Sequence, residues 1–151
     1  MIEPLLITSS LFLGKEMFTT TVTNTTKNIY NGIEKIILND NTHFKKILDN
    51  LDINTKLDII HTFIIDIHND KKIFNDTLTK TFNYLETILK TIETEIEHIN
   101  LELEEHSKKW FHKYRSSNCE DLLNNLINHV KILDERFNLL IKLTLSIGYM
   151  Q

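Results

Sequence analysis

At 151 residues the chain is long enough to bury one substantial core and too short for two, so a single domain over 1–151 is expected. A formal charge of −4, with two arginines among the 17 basic residues, argues against a dedicated nucleic-acid binder, which needs a net basic face to displace counterions. The apolar 41% is almost wholly Ile, Leu and Phe with no Ala, a codon-level A/T bias that says little about function; the lone Cys119 excludes an intrachain disulfide, and its acidic neighbours Glu120 and Asp121 oppose a reactive thiolate.

The opening Met1-Ile2-Glu3-Pro4 is acidic where a secretory signal is basic, and Thr8, Ser9 and Ser10 break the apolar run from Leu5 to Leu13. No window reaches the ~18 apolar residues of a membrane span, so an intracellular protein is expected, in host cytoplasm or virion if viral. Because 4–26 carries only Lys15 and Glu16, peripheral membrane contact by an interfacial helix stays open. The spacing of Leu11, Phe18, Val22, Thr25, Ile29, Ile33 and Ile36 predicts a first helix over 10–38, with Gly14 and Gly32 near its seam. Six threonines in 19–26 are poor helix formers, since branched side chains lose rotamer freedom. Packing has to hold that stretch, and a half-buried face permitting close helix approach is the plainer reading than a phosphorylation cluster.

Asn39-Asp40-Asn41-Thr42 reads as a loop, followed by a short helix over 43–51. Asp52-Ile53-Asn54-Thr55 breaks the pattern, and Thr55 with Asp58 resembles a capping arrangement opening a helix over 56–68. Its polar Asp58, Thr62, Asp66 and Asn69 leave Leu57, Ile60, Ile64 and Ile67 on the other side. Asp70 is placed to cap the next helix.

That helix is the main feature. Phe74, Leu78, Phe82, Leu85, Leu89, Ile92, Ile96, Ile99, Leu103, His106, Trp110 and Tyr114 recur at three and four without a Gly or Pro, predicting a continuous helix of about 40 residues, roughly 60 Å long, with coiled-coil spacing. Glu104 with Lys108 and Glu105 with Lys109 are favourable i,i+4 pairs. Ser117 and Glu120 form a capping box that starts the last helix, whose stripe Leu122, Leu126, Val130, Leu133, Phe137, Leu140, Thr144 and Ile147 runs to Gly148. A short turn between two long stripes means an antiparallel hairpin over 70–148. The expected fold is therefore all-α, an elongated antiparallel bundle of about four to five helices built around that hairpin. The short middle helices cannot cover it evenly, so part of the stripe must meet the first helix or another subunit.

Asp58 with His61 and Glu95 with His98 have the (Asp/Glu)-x-x-His spacing of di-iron bundles, and His98, Glu102 and His106 share a helix side. One motif has Asp for Glu and no further inward glutamates are identifiable, so solvated histidines on an acidic face are the plainer reading. No metal, no cofactor, no small-molecule substrate and no catalytic residue is assigned. Lys108-Lys109-Trp110-Phe111-His112-Lys113-Tyr114-Arg115 interleaves bases with aromatics, as membrane-surface or nucleobase-stacking segments do. Trp110 and Tyr114 lie on the apolar stripe, however, where plugs at the end of a bundle belong. The candidate interaction residues are Leu85, Leu89, Ile92, Ile96, Ile99, Leu103, Trp110, Phe111, Lys108 and Lys109.

With this composition, the segments Glu3 to Lys15, Lys109-Trp110-Phe111 and Ile132 to Lys142 resemble short uncharacterised all-helical proteins of giant DNA viruses with A/T-rich genomes. The resemblance implies a virion component or a protein made in host cytoplasm, with no assigned active site. The expected function is a non-enzymatic structural, assembly or scaffold protein acting by helix–helix association, as a homo-oligomer or with another helical protein. The alternatives are a host-interaction module binding a cellular partner helix and, behind it, a metal-binding helical bundle.

Overall fold

A computed structural model describes residues 3–39, 42–69, 75–108 and 119–149, with side chains described for 16–39, 43–69, 75–105 and 120–146. Five helices follow in chain order: α1 (Glu3–Leu38), α2 (Thr42–Leu51), α3 (Ile53–Asn69), α4 (Asp76–Lys108) and α5 (Cys119–Tyr149). At 33 and 31 residues, α4 and α5 span about 50 Å and about 46 Å. The all-α bundle around a long hairpin is the fold the periodicities predict.

Helix boundaries differ where the chain offers a tighter solution. α1 starts at Glu3, seven residues before the predicted edge, because Pro4 falls in the first turn, where its missing N–H and preset φ are tolerated. The break expected over four residues at 52–55 contracts to Asp52 alone. Its φ of 52° is left-handed, a conformation Asp adopts more readily than most residues. The Asp52 amide donates to Leu48 O at 3.2 Å, closing α2, and the Lys56 amide donates to Asp52 O at 3.2 Å, opening α3. Thr55 and Asp58 therefore lie inside α3 and do not cap it. The cap of α4 is Asn75, whose Oδ1 accepts the Leu78 amide at 2.8 Å, the N-cap geometry that satisfies an orphan helix donor. The predicted cap Asp70 and the stripe residue Phe74 lie outside the described residues, as does the predicted continuation of the helix from 109 to 114.

Four helices make the body of the bundle. α4 and α5 pack antiparallel, with Glu95 beside His129 and Tyr84 beside Arg136. α1 lies on another flank of α4 and runs parallel to it: the rings of Phe18 and Phe82 meet edge-to-face at 4.8 Å, and Asn28 Nδ2 donates to Glu93 Oε2 at 3.2 Å further along. α3 returns antiparallel along α1, where the Tyr30 hydroxyl donates to Asn54 O at 2.9 Å and Thr19 meets His68. It also reaches α5 through Lys56–Asp134 at 2.9 Å and the edge-to-face rings of Phe63 and Phe137 at 5.4 Å. α2 covers one end of α1 with Phe44 and Leu48. The parallel α1–α4 pair is what converts a hairpin with an open seam into a closed bundle.

The threonine run packs as a half-buried face. Thr25 and Thr26 are buried, Thr23 Oγ1 and His61 Nε2 lie 3.3 Å apart, and Thr19 Oγ1 and His68 Nδ1 lie 3.1 Å apart. Small side chains with a hydroxyl let α1 approach α3 closely while giving two partly buried imidazoles a partner. On α4 the hydroxyls of Thr79, Thr81, Thr87, Thr91 and Thr94 each donate to the carbonyl four residues back, so they satisfy themselves locally.

Candidate functional site

The candidate interaction stripe is core. Leu85, Leu89, Ile92, Ile96, Ile99 and Leu103 are buried within the one chain, between α1 and α5. A seam that the sequence leaves open to a second subunit is thus filled by α1, whose Val22, Ile29, Ile33 and Ile36 bury their side chains in the same cluster. Trp110, Phe111 and Lys109 lie outside the described residues, and Lys108 is the last residue of α4 with its side chain likewise undescribed. Any surface for partners has to be sought on the outside of the bundle.

Gly32 explains how closely α1 can lie. A Cβ at that position would run into the Cγ2 methyl of Ile96, a branched side chain with no flexible end to yield. Beside it, Asn100 Nδ2 donates to Gly32 O at 2.9 Å, pinning the two helices. The α1–α4 groove that flanks this pinch has a volume of about 680 Å³ and is lined by Asn28, Glu93, Glu97, Asn100, Leu101 and Glu104, among others. Lys35 is the one cation among its described lining residues.

The second polar feature crosses the α4–α5 interface. Glu95 Oε1 and His129 Nδ1 are 2.5 Å apart, with side chains 12% and 30% exposed respectively. The contact is an ion-pair approach without an aligned ring hydrogen bond, and Glu95 Oε2 is buried with no hydrogen-bond partner among the described residues. Burial pushes the Glu95 carboxyl above the usual carboxylate range, against the smaller pull of His129 and then of His98. Burial, and then the charge of Asp58, likewise raise the Tyr30 phenol.

The two (Asp/Glu)-x-x-His motifs do not converge. Asp58 is exposed on α3, His61 faces Thr23, Glu95 pairs with His129 and His98 is exposed. Among the described residues no group of three or more His, Cys, Asp or Glu side chains is placed to hold a metal ion; the side chain of His106 lies outside them. His129 went unnoticed in the sequence because it flanks the stripe position Val130. The signal was nonetheless present, since an antiparallel hairpin sets 129 level with 95.

Over 97 residues the chain is 26% identical to an uncharacterised protein of Acanthamoeba polyphaga mimivirus, an alignment covering 64% of this chain and 47% of that protein. The chain therefore spans about half the length of that relative, and the similarity agrees with the resemblance to giant-virus proteins. No protein family matches the chain, and no solved structure does.

Proposed function

We propose that this chain is a non-enzymatic structural or assembly protein of a giant DNA virus, acting through protein–protein contact by its helices. The observation that carries the reading is a rod about 50 Å long whose described core residues are buried within one chain while large apolar side chains remain outside. Leu38 at the end of α1 is 76% exposed and Leu101 on α4 is 52% exposed, both toward the end of the bundle where α4 finishes. A rigid rod that displays apolar side chains, these two among others along its surface, suits assembly, because little conformational freedom is lost on binding. Similarity to a mimivirus protein supports the viral part of the reading.

A second reading, a host-interaction module, draws on a different surface. Arg136 lies over the Tyr84 ring at 5.6 Å and donates to Tyr84 O at 2.8 Å, with Leu139 one turn on and both Tyr84 and Leu139 more than half exposed. Tyr and Arg beside an exposed Leu are the residue types that anchor protein interfaces. Among the described residues no helix is long and apolar enough to cross a membrane. Light scattering on the purified chain over a wide concentration range separates the two readings. A dimer or larger assembly that forms reversibly with concentration is expected for the assembly role. A strict monomer at every concentration contradicts self-assembly and leaves the partner-binding surface at Tyr84, Arg136 and Leu139 as the one to pursue.

A further inference from the structure

We infer that a second copy of this chain docks on the outer face of the α4–α5 hairpin, its α5 lying antiparallel over the first α5 about Leu139; the inference rests on the self-assembly reading and gives it a surface. At about 100° per residue, Ile132, Glu135, Leu139 and Lys142 share one side of α5, turned away from the core positions Leu133, Phe137 and Leu140. Leu139 is more than half exposed at the centre of that side, and Ile132 is half-buried two turns before it. Across the junction with α4, Tyr84 is exposed as well. Arg136 lies over its ring and donates to its carbonyl, so the aromatic is held in place before a partner arrives and little rotamer freedom is lost on docking.

The charges beside Leu139 select the occupant. Glu135 stands one turn before it and Lys142 one turn after it, both exposed, and among the described residues neither has an ion-pair or hydrogen-bond partner. One negative and one positive charge placed almost evenly about an apolar centre complement themselves when the helix is reversed. A two-fold axis beside Leu139 brings that side chain against Leu139 of the second copy. It also sets Glu135 of each copy level with position 143 of the other, about 1.5 Å along the helix from Lys142. Two symmetric ion pairs then bracket the apolar contact and fix its register.

A parallel pairing does the opposite. It sets Glu135 against Glu135 and Lys142 against Lys142, and like charges across an interface repel. A foreign helix has to carry both charges at matching positions, whereas a second copy supplies both by symmetry. One helix face per copy is a small contact, so the dimer forms reversibly with concentration. The core is untouched: the stripe from Leu85 to Leu103 stays buried within each chain, and the second copy adds to the bundle without opening it.

Light scattering and sedimentation of the full-length parent and four full-length variants test the inference: Leu139→Arg, Glu135→Lys, Lys142→Glu, and the double reversal Glu135→Lys/Lys142→Glu. All change exposed positions, and circular dichroism melts check that each variant folds. Leu139→Arg is expected to abolish the dimer at concentrations where the parent forms it, since it places two like charges at the axis. Each single reversal is expected to dimerise about tenfold more weakly than the parent, because like charges then face each other twice. The double reversal restores both pairs and is expected to return to the parent's affinity, as is an equimolar mixture of the two single reversals. A parent dimer that Leu139→Arg leaves unchanged, or single reversals that the double does not repair, overturns the assignment while leaving self-assembly intact. A parent chain that stays monomeric throughout overturns the assembly reading as well, and returns this face to a foreign partner.

Discussion

Ile92→Ala is expected to lower the stability of the bundle by about 2–5 kcal/mol, the range for truncating a fully buried aliphatic side chain where the cavity collapses only partly. Ile92 is completely shielded from solvent at the middle of α4. The decisive feature is that the loss should not depend on protein concentration. Were the stripe from Leu85 to Leu103 an interface between subunits, its stability would follow mass action, and the variant would recover as concentration rose. Denaturant melts at two concentrations about a hundredfold apart check this; the gap between the parent and variant midpoints is expected to be the same at both, with the variant's midpoint lower and its slope unchanged.

The Glu95–His129 pair should give the other large effect, and it depends on pH. His129→Leu removes the imidazole in contact with a carboxylate that burial already disfavours, and leaving that carboxylate without its polar neighbour is expected to cost about 1–3 kcal/mol at pH 8. Because the folded-state carboxyl of Glu95 titrates above its unfolded value, the folded protein binds this proton more tightly than the unfolded chain does. Stability from that proton is full below the ordinary carboxylate range and is lost as pH rises through the raised value. The defect of His129→Leu should therefore shrink on acidification toward pH 4, where the carboxyl is protonated. By the same sign Glu95→Gln should match the parent near pH 4 and exceed it at pH 8. Replacing both partners, Glu95→Leu with His129→Leu, should be neutral or stabilising, since no buried charge remains. Thermal melts from pH 4 to 8 on the four proteins measure this cycle; a His129→Leu defect that grows on acidification would be inconsistent with the buried-carboxylate account.

Much of the fold was legible because α-helical packing writes itself into spacing. The stripe on α4 and its partner on α5 gave the hairpin, and Ile29, Ile33 and Ile36 gave the inward face of α1. What spacing does not contain is which helix faces which. The α4 stripe has the same period whether it meets α1, α5 or a second chain, so its burial by α1 emerges only from three-dimensional features such as the Gly32–Ile96 pinch. Polar pairs were harder still. Glu-x-x-His spacing placed Glu95 beside His98, whereas across the hairpin it was His129 that came closest. The left-handed turn at Asp52 and the Asn75 cap involve residues that also occur freely in loops, so composition located those boundaries only to within a few positions.

Intrachain crosslinking of α1 to α4 tests most directly the claim that one chain closes its own seam. Asn28 and Glu93 hydrogen-bond across that interface at 3.2 Å, so Asn28→Cys/Glu93→Cys in a Cys119→Ser background puts two thiols within reach of a short bifunctional reagent. The predicted product is a monomer with a peptide linkage joining α1 to α4, formed at a rate independent of protein concentration. Products found only as crosslinked dimers, forming faster as the protein is concentrated, would show that α1 packs on another molecule and that the seam is an interface after all.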